Sequence, residues 1–325
     1  MPSLHEHWNL IKCQGFRFQS ALRYHCSMIK NTIIVALVIV LFGAGFYVFM
    51  KKPTEGTNTP TSTEDVQSQE GDSKEMEQKT ETVIGSSVNG NEITAYHYGT
   101  GDNEVLLVGG IHGGYSNNTV SLSFDLIDYF KNHEDEIPDT VTLTIIPVLN
   151  PDGLETTVGT TGKFNASDIP SSEIKKVEGR FNANGVDLNR NFACDWQEKA
   201  IWQNKNVSGG SSEFSEPESQ ALKSYVESSN PAAVVVWYSS AGGVYSSNCH
   251  NGVLPKTKEL TQVFAKASGY PAKEDFNFYE ITGDAVNWMA KQNIPAISVL
   301  LTNHTDTEED KNIAGVKAIL GLFAN

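Results

Sequence analysis

Four apolar runs constrain what this chain can fold into more than any other feature. They are EVLLVGG at 104–110, VTLTIIPVL at 141–149, AAVVVWYSS at 232–240 and AISVLLT at 296–302. Each has strand length and lacks the strict alternation of a half-wet strand, so each needs cover on both faces. Segments with helical spacing separate them: SLSFDLIDYFKNH (121–133), EPESQALKSYVESS (216–229) and TKELTQVFAKASG (257–269). In the first, Leu122, Leu126, Ile127 and Phe130 fall on one helical face. Buried strands interleaved with helices predict an α/β fold with a mixed, mostly parallel central sheet and helices on both faces. Ligands of such sheets gather at the carboxyl ends of strands. His112, the NPDG turn at 150–153 and WYSS at 237–240 all fall there.

The region before residue 82 reads differently. Thr32 to Met50 carries no charged residue, and a helix of that length spans roughly 28 Å, about one bilayer core. Lys12, Arg17, Arg23 and Lys30 precede it against one acid, Glu6. This asymmetry predicts a cytoplasmic segment at 1–31, a transmembrane anchor at 32–50 and everything beyond outside the cytoplasm, a single-pass cell-membrane protein. A cleaved signal peptide is the competing reading. MIKNTII from Met28 makes a more ordinary start to an anchor, which puts the translation of residues 1–27 in question. Residues 51–81 are rich in Ser, Thr and acids with almost no large apolar side chains, as in a disordered tether. The expected folded domain is 82–325. The net charge of -15 argues against nucleic-acid binding. Cys194 and Cys249 both fall on the predicted oxidising side, where a disulfide or two separate buried thiols are the alternatives.

Several segments together resemble the zinc metallocarboxypeptidase family, the carboxypeptidase A-like enzymes and their bacterial relatives. They are GGIHGG (109–114), NPDG (150–153), GRFNANGVDLNRNF (179–192), SEPES (215–219), AGGVY (241–245), YEITGDAVNW (279–288) and LTNHTDTE (301–308), in family order. The resemblance implies zinc held by a His and a Glu from one loop and a second His from another strand. A water occupies the open position and a further Glu takes its proton. His112 corresponds to the first zinc histidine and Arg180 to the arginine that stabilises an oxyanion. Asn189 and Arg190 correspond to a clamp for the substrate's free carboxylate, and Tyr279 to the tyrosine that closes over it. Val286 falls where side-chain preference is set, and its apolar character suggests an apolar C-terminal residue.

The remaining chemical positions depart from the family. Tyr115 and Ser116 occupy the two possible positions of the zinc Glu, Ser116 being the assignment adopted. Tyr238 replaces the second zinc His, and Leu300 replaces the general-base Glu. Hydroxyls are poor zinc ligands beside carboxylate or imidazole, and leucine accepts no proton. The expectation is therefore a pseudoenzyme with no tightly bound cofactor. Its partner would be a peptide C-terminus, protein C-terminus or small carboxylate. Two other readings stay open: an active metallocarboxypeptidase with an atypical zinc site, for which His304, Asp306 or His250 would be substitute ligands, and a purely structural scaffold. Within the structural reading, Arg190 would pair with a nearby acid such as Asp187. Asp152 and Asp187 read as residues that orient turns.

Overall fold

The computed structural model describes residues 80–324. The expected anchor at 32–50 and nearly all of the tether lie outside those residues. Among the described residues no helix is long and apolar enough to cross a membrane.

In chain order, β1 (Glu81–Ser86), β2 (Glu92–Tyr98) and β3 (Asn103–Val108) lead into α1 (Asn117–Asn132) and β4 (Val141–Ile146). Two short helices, α2 (Pro151–Val158) and α3 (Glu173–Glu178), precede a hairpin of β5 (Lys199–Trp202) and β6 (Lys205–Ser208). Then come α4 (Pro217–Ser229), β7 (Ala233–Ser239), β8 (Gly243–Ser246), α5 (Pro255–Ser268) and β9 (Ala272–Lys273). The last elements are α6 (Ala285–Lys291), β10 (Ala296–Leu301) and α7 (Glu309–Leu320). The eight-stranded sheet has the order β1-β2-β4-β3-β7-β10-β8-β9. Its central strands β4, β3, β7 and β10 run parallel, while β1, β2 and β8 join antiparallel.

The four apolar runs are those four central strands. Period-two alternation sends their side chains to opposite faces, and both faces are covered. Val235, Trp237, Val299 and Leu301 pack with Leu126 and Phe130 of α1, Leu260 and Phe264 of α5 and Ile319 of α7. Val234, Val236, Tyr238 and Leu300 pack on the other face with Leu222 of α4 and Val286, Trp288 and Met289 of α6. The helix boundaries follow from local chemistry. Pro217 and Pro255 start α4 and α5, where the missing N–H costs nothing. Asn230 and Gly269 end them in the left-handed conformation. Asn150 caps α2 by accepting from the Gly153 N–H at 2.9 Å.

The alternation places Tyr238 and Leu300 on one face as register partners in the parallel β7–β10 pair. On the opposite face α5 and α7 meet so closely that a Cβ at Gly315 would lie 2.5 Å from the Phe264 ring. Phe264 is fully buried. Phe264→Ala is expected to lower the urea-measured unfolding free energy by about 3–5 kcal/mol through the cavity it leaves. A loss under about 1 kcal/mol would show that the two helices are not packed as described.

Candidate functional site

The carboxyl ends of the central strands open onto a cleft of about 750 Å³. His112, Arg180, Asn189, Arg190, Tyr238, Tyr279, Val286 and Leu300 all line it, although they come from distant parts of the chain. Ser116 is not among the lining residues. It precedes α1, buried, with its Oγ unpartnered and its carbonyl accepting from Thr119 Oγ1 at 2.8 Å. Of the two candidates for the lost zinc Glu, Tyr115 is the one that faces the cleft.

Asp187 is the hub of the site and is fully buried. Its Oδ2 accepts from Arg180 Nε at 2.9 Å and lies 2.8 Å from Nη2. Its Oδ1 accepts from His112 Nε2 at 3.2 Å and from the Asn189 backbone N–H at 3.1 Å. Burial opposes the charge on Asp187, yet Arg180 and the His112 bond together hold its carboxyl well below the usual carboxylate range. Asp187 therefore does more than orient a turn, and the ion pair runs to Arg180, not to Arg190. Arg180 also lies 4.3 Å from the centroid of Trp202 and 5.6 Å from that of Tyr115. Asp152 remains a turn residue, accepting from Ser87 Oγ at 2.5 Å and from the Asn89 N–H at 3.1 Å.

The next residues form a second unit. Asn189 Nδ2 donates to Asp284 Oδ2 at 2.8 Å. Its Oδ1 accepts from the Tyr238 hydroxyl at 3.0 Å and from the Ala285 N–H at 3.1 Å. The Asn189 side chain is thus largely spent on the protein, where it fixes the start of α6. Arg190 is 1% exposed. Nε and Nη2 donate to the Ile201 carbonyl at 3.2 and 3.1 Å, and Nη1 donates to the Asn189 carbonyl at 2.7 Å. Of five guanidinium N–H groups, one on each terminal nitrogen remains unused by the protein. Among the described residues, no carboxylate oxygen lies within 4.0 Å of Arg190. Tyr279 covers it, with its ring centroid 5.9 Å away.

Gly283 explains how this segment is held. Its N–H donates to the Cys194 carbonyl at 2.7 Å, and its carbonyl accepts from the Phe192 N–H at 3.0 Å. Its φ is +62°, and a Cβ there would sit 2.2 Å from the Arg190 carbonyl, so only glycine fits. Cys194 and Cys249 are joined by a disulfide, with their Cα atoms 6.1 Å apart. Sequence reasoning singled out neither Trp202 nor Asp284, because their roles rest on contacts with residues far along the chain. His304 packs against Tyr115, ring centroids 4.8 Å apart. Asp306 accepts from Asn303 Nδ2 at 2.8 Å in an exposed turn, and exposed His250 pairs with Asp195 at 2.8 Å.

Residues 65–308 match the zinc carboxypeptidase family, and the chain belongs to that family. It is 32% identical over 202 residues to the carboxypeptidase N catalytic chain of Mus musculus, covering 57% of this chain and 41% of that one. It is 27% identical over 206 residues to murein peptide amidase A of Escherichia coli, covering 59% and 69%. The chain thus spans less than half the length of the mouse protein. Among solved structures, carboxypeptidase A from Helicoverpa armigera superposes with a TM-score of 0.56 at 19% identity, covering 75% of this chain and 66% of that one. The murein-tripeptide amidase MpaA of Escherichia coli gives 0.53 at 21% identity, covering 76% and 93%. At these identities the two structures establish the fold alone.

Membership implies zinc, and the donors at the cleft do not fit it. Catalytic zinc takes three protein ligands from His, Cys or carboxylate. His112 Nδ1 has no hydrogen-bond partner and supplies one such atom. Tyr238 lies beside it, ring centroids 5.8 Å apart, but burial foremost, with the charge of Asp284, pushes its phenol well above 10. Its hydroxyl is already given to Asn189. Leu300 has no donor atom, and the one carboxylate at His112, Asp187, is committed to Arg180. Among the described residues the only clustered trio of metal-binding types is Cys194, Cys249 and His250, whose sulfurs are joined in the disulfide.

Burial first, and then the charge of Arg180, lowers the His112 pKa from 6.5 to about 4. Between those values the unfolded chain binds a proton that the folded chain refuses. This contribution to stability is complete above pH 6.5 and is lost as the pH falls toward 4, on the order of 3 kcal/mol in all. His112→Phe should flatten the stability-versus-pH curve in that window, measured by urea unfolding at a series of pH values. Parallel curves for the two proteins would sink the assignment.

Proposed function

We propose that this domain is a non-catalytic member of the zinc carboxypeptidase family that binds the free carboxylate of peptides. Arg190 carries the reading. Arg190 is buried with Asp187 and Asp284 near enough to feel its charge but no carboxylate in direct contact, an arrangement that leaves the guanidinium incompletely compensated. A ligand carboxylate meeting its two unused N–H groups would supply both a directly paired charge and a forked hydrogen-bond geometry. A scaffold gains nothing from that arrangement. The relatives are named as carboxypeptidase and peptide amidase, which favours a peptide over an isolated acid. Val286 and Leu300 give the cleft an apolar wall suited to an apolar terminal side chain.

The lost donor set argues against hydrolysis through zinc. Tyr238 and Leu300 sit side by side where the resemblance puts a zinc ligand and the general base. Both fill the cleft with groups that neither bind a metal under these conditions nor move a proton. The reading includes a membrane location, with the charge-free run 32–50 as anchor and the segment to residue 81 as tether, the domain lying outside the cytoplasm. Its support is the flanking charge asymmetry.

Arg190→Ala is expected to abolish binding of peptides with a free C-terminus, read by calorimetry, whereas amidated peptides bind neither protein. Equal affinity of free and amidated peptides for the wild-type chain would remove the carboxylate reading. Dialysed against buffered zinc, the wild-type domain should retain well under one tightly held zinc per chain by elemental analysis. One stoichiometric zinc would return the chain to the active members of its family.

A further inference from the structure

We propose that His112, in place of binding a metal, accepts a hydrogen bond from the N–H of the ligand's terminal residue, so that the domain selects peptides over other carboxylates. The inference rests on the carboxylate reading of Arg190 and adds a second point of recognition in the same cleft.

The bonding of His112 fixes its chemistry. Nε2 faces a carboxylate oxygen of Asp187, which only accepts, so Nε2 carries the hydrogen. Asp187 is one negative charge already matched by Arg180, bound through Nε and Nη2. A cationic His112 would therefore put a second buried positive charge on a carboxylate already shared with Arg180. The neutral ring leaves Nδ1 as a bare lone pair. That atom is buried, has no protein partner and belongs to a side chain 4% exposed that lines the cleft. A buried acceptor left unmade costs about as much as a lost hydrogen bond, so the site discriminates for a donor.

The neighbours do not satisfy it. The Tyr238 ring packs beside His112, but its hydroxyl hydrogen goes to Asn189. Leu300, next to Tyr238 in the sheet, offers no polar atom. The cleft thus combines a cationic fork, one lone pair and an apolar wall at Val286 and Leu300. A terminal peptide residue presents the complementary set: carboxylate, N–H and an apolar side chain. A 2-hydroxy acid esterified to the same chain keeps the carboxylate and side chain but lacks the N–H.

The test compares N-acetyl-Gly-Leu with its ester analogue, in which leucine is replaced by 2-hydroxy-4-methylpentanoic acid, by calorimetry on the wild-type domain and on His112→Phe. The amide should bind the wild type at least tenfold more tightly than the ester, and the ratio should collapse toward one in the variant. Equal binding of amide and ester by the wild type would overturn the inference, while binding lost on amidation of the terminus would still uphold the carboxylate reading. Binding of neither compound would overturn both. A tenfold ratio that persists in His112→Phe would trace the preference to the ester carbonyl and remove His112 from it. Should the variant fail to fold, 15N chemical shifts of the wild-type imidazole decide. Nδ1 should move upfield with the amide and not with the ester, and an unmoved resonance with the amide bound would overturn the assignment.

Discussion

The site hangs on one buried carboxylate. Asp187 sits where three segments meet and holds Arg180, His112 and the backbone at Asn189 at once. Removing one partner from such a buried pair commonly costs 3–5 kcal/mol, because the remaining charge has nowhere to go. Through the Asn189 N–H, the same carboxylate sets the turn from which Arg190 projects. Asp187 ion-pairs directly with Arg180, whereas Arg190 is held by backbone carbonyls and keeps two N–H groups unused by the protein.

Around that hub the framework of the family fold is present, and the proposed change lies in its chemistry. The Asp187–His112 bond orients an imidazole as a support would orient a metal ligand, yet a phenol, Tyr238, stands beside it where the resemblance puts the second histidine. Tyr238 shows how the change is accommodated. Its hydroxyl is absorbed by Asn189, which also receives the Ala285 N–H and binds Asp284. A buried phenol without such a partner would cost a desolvated hydroxyl. The substitution is thus stitched into the start of α6 and into the wall beneath Arg190.

Much of the fold was legible in the sequence. The four apolar runs became β3, β4, β7 and β10 within a few residues, and the three helical patterns became α1, α4 and α5. Continuous apolarity and helical periodicity are local signals that burial on both faces enforces. The outer strands β1, β2, β8 and β9 and the β5–β6 hairpin carry weaker patterns, since they are short or only partly covered. The roles of Asp187, Trp202 and Asp284 were not legible, because each is defined by partners far away in sequence.

By its own pattern the sequence determined the α/β layers, the placement of His112 and the 237–240 segment at strand ends, and the presence of a tyrosine at 238 and a leucine at 300. Side-chain chemistry is a property of the residue, and period two fixes which face it takes. Only the tertiary structure decided which acid pairs with which arginine. Asp187 stands three residues from Arg190 and seven from Arg180, and proximity along the chain favours the wrong partner. The turn at 188–190 aims Arg190 toward the Ile201 carbonyl and the cleft, whereas the fold returns Arg180 to Asp187. Ion pairing follows the direction of side chains in space, and that direction is set by contacts the linear sequence does not contain.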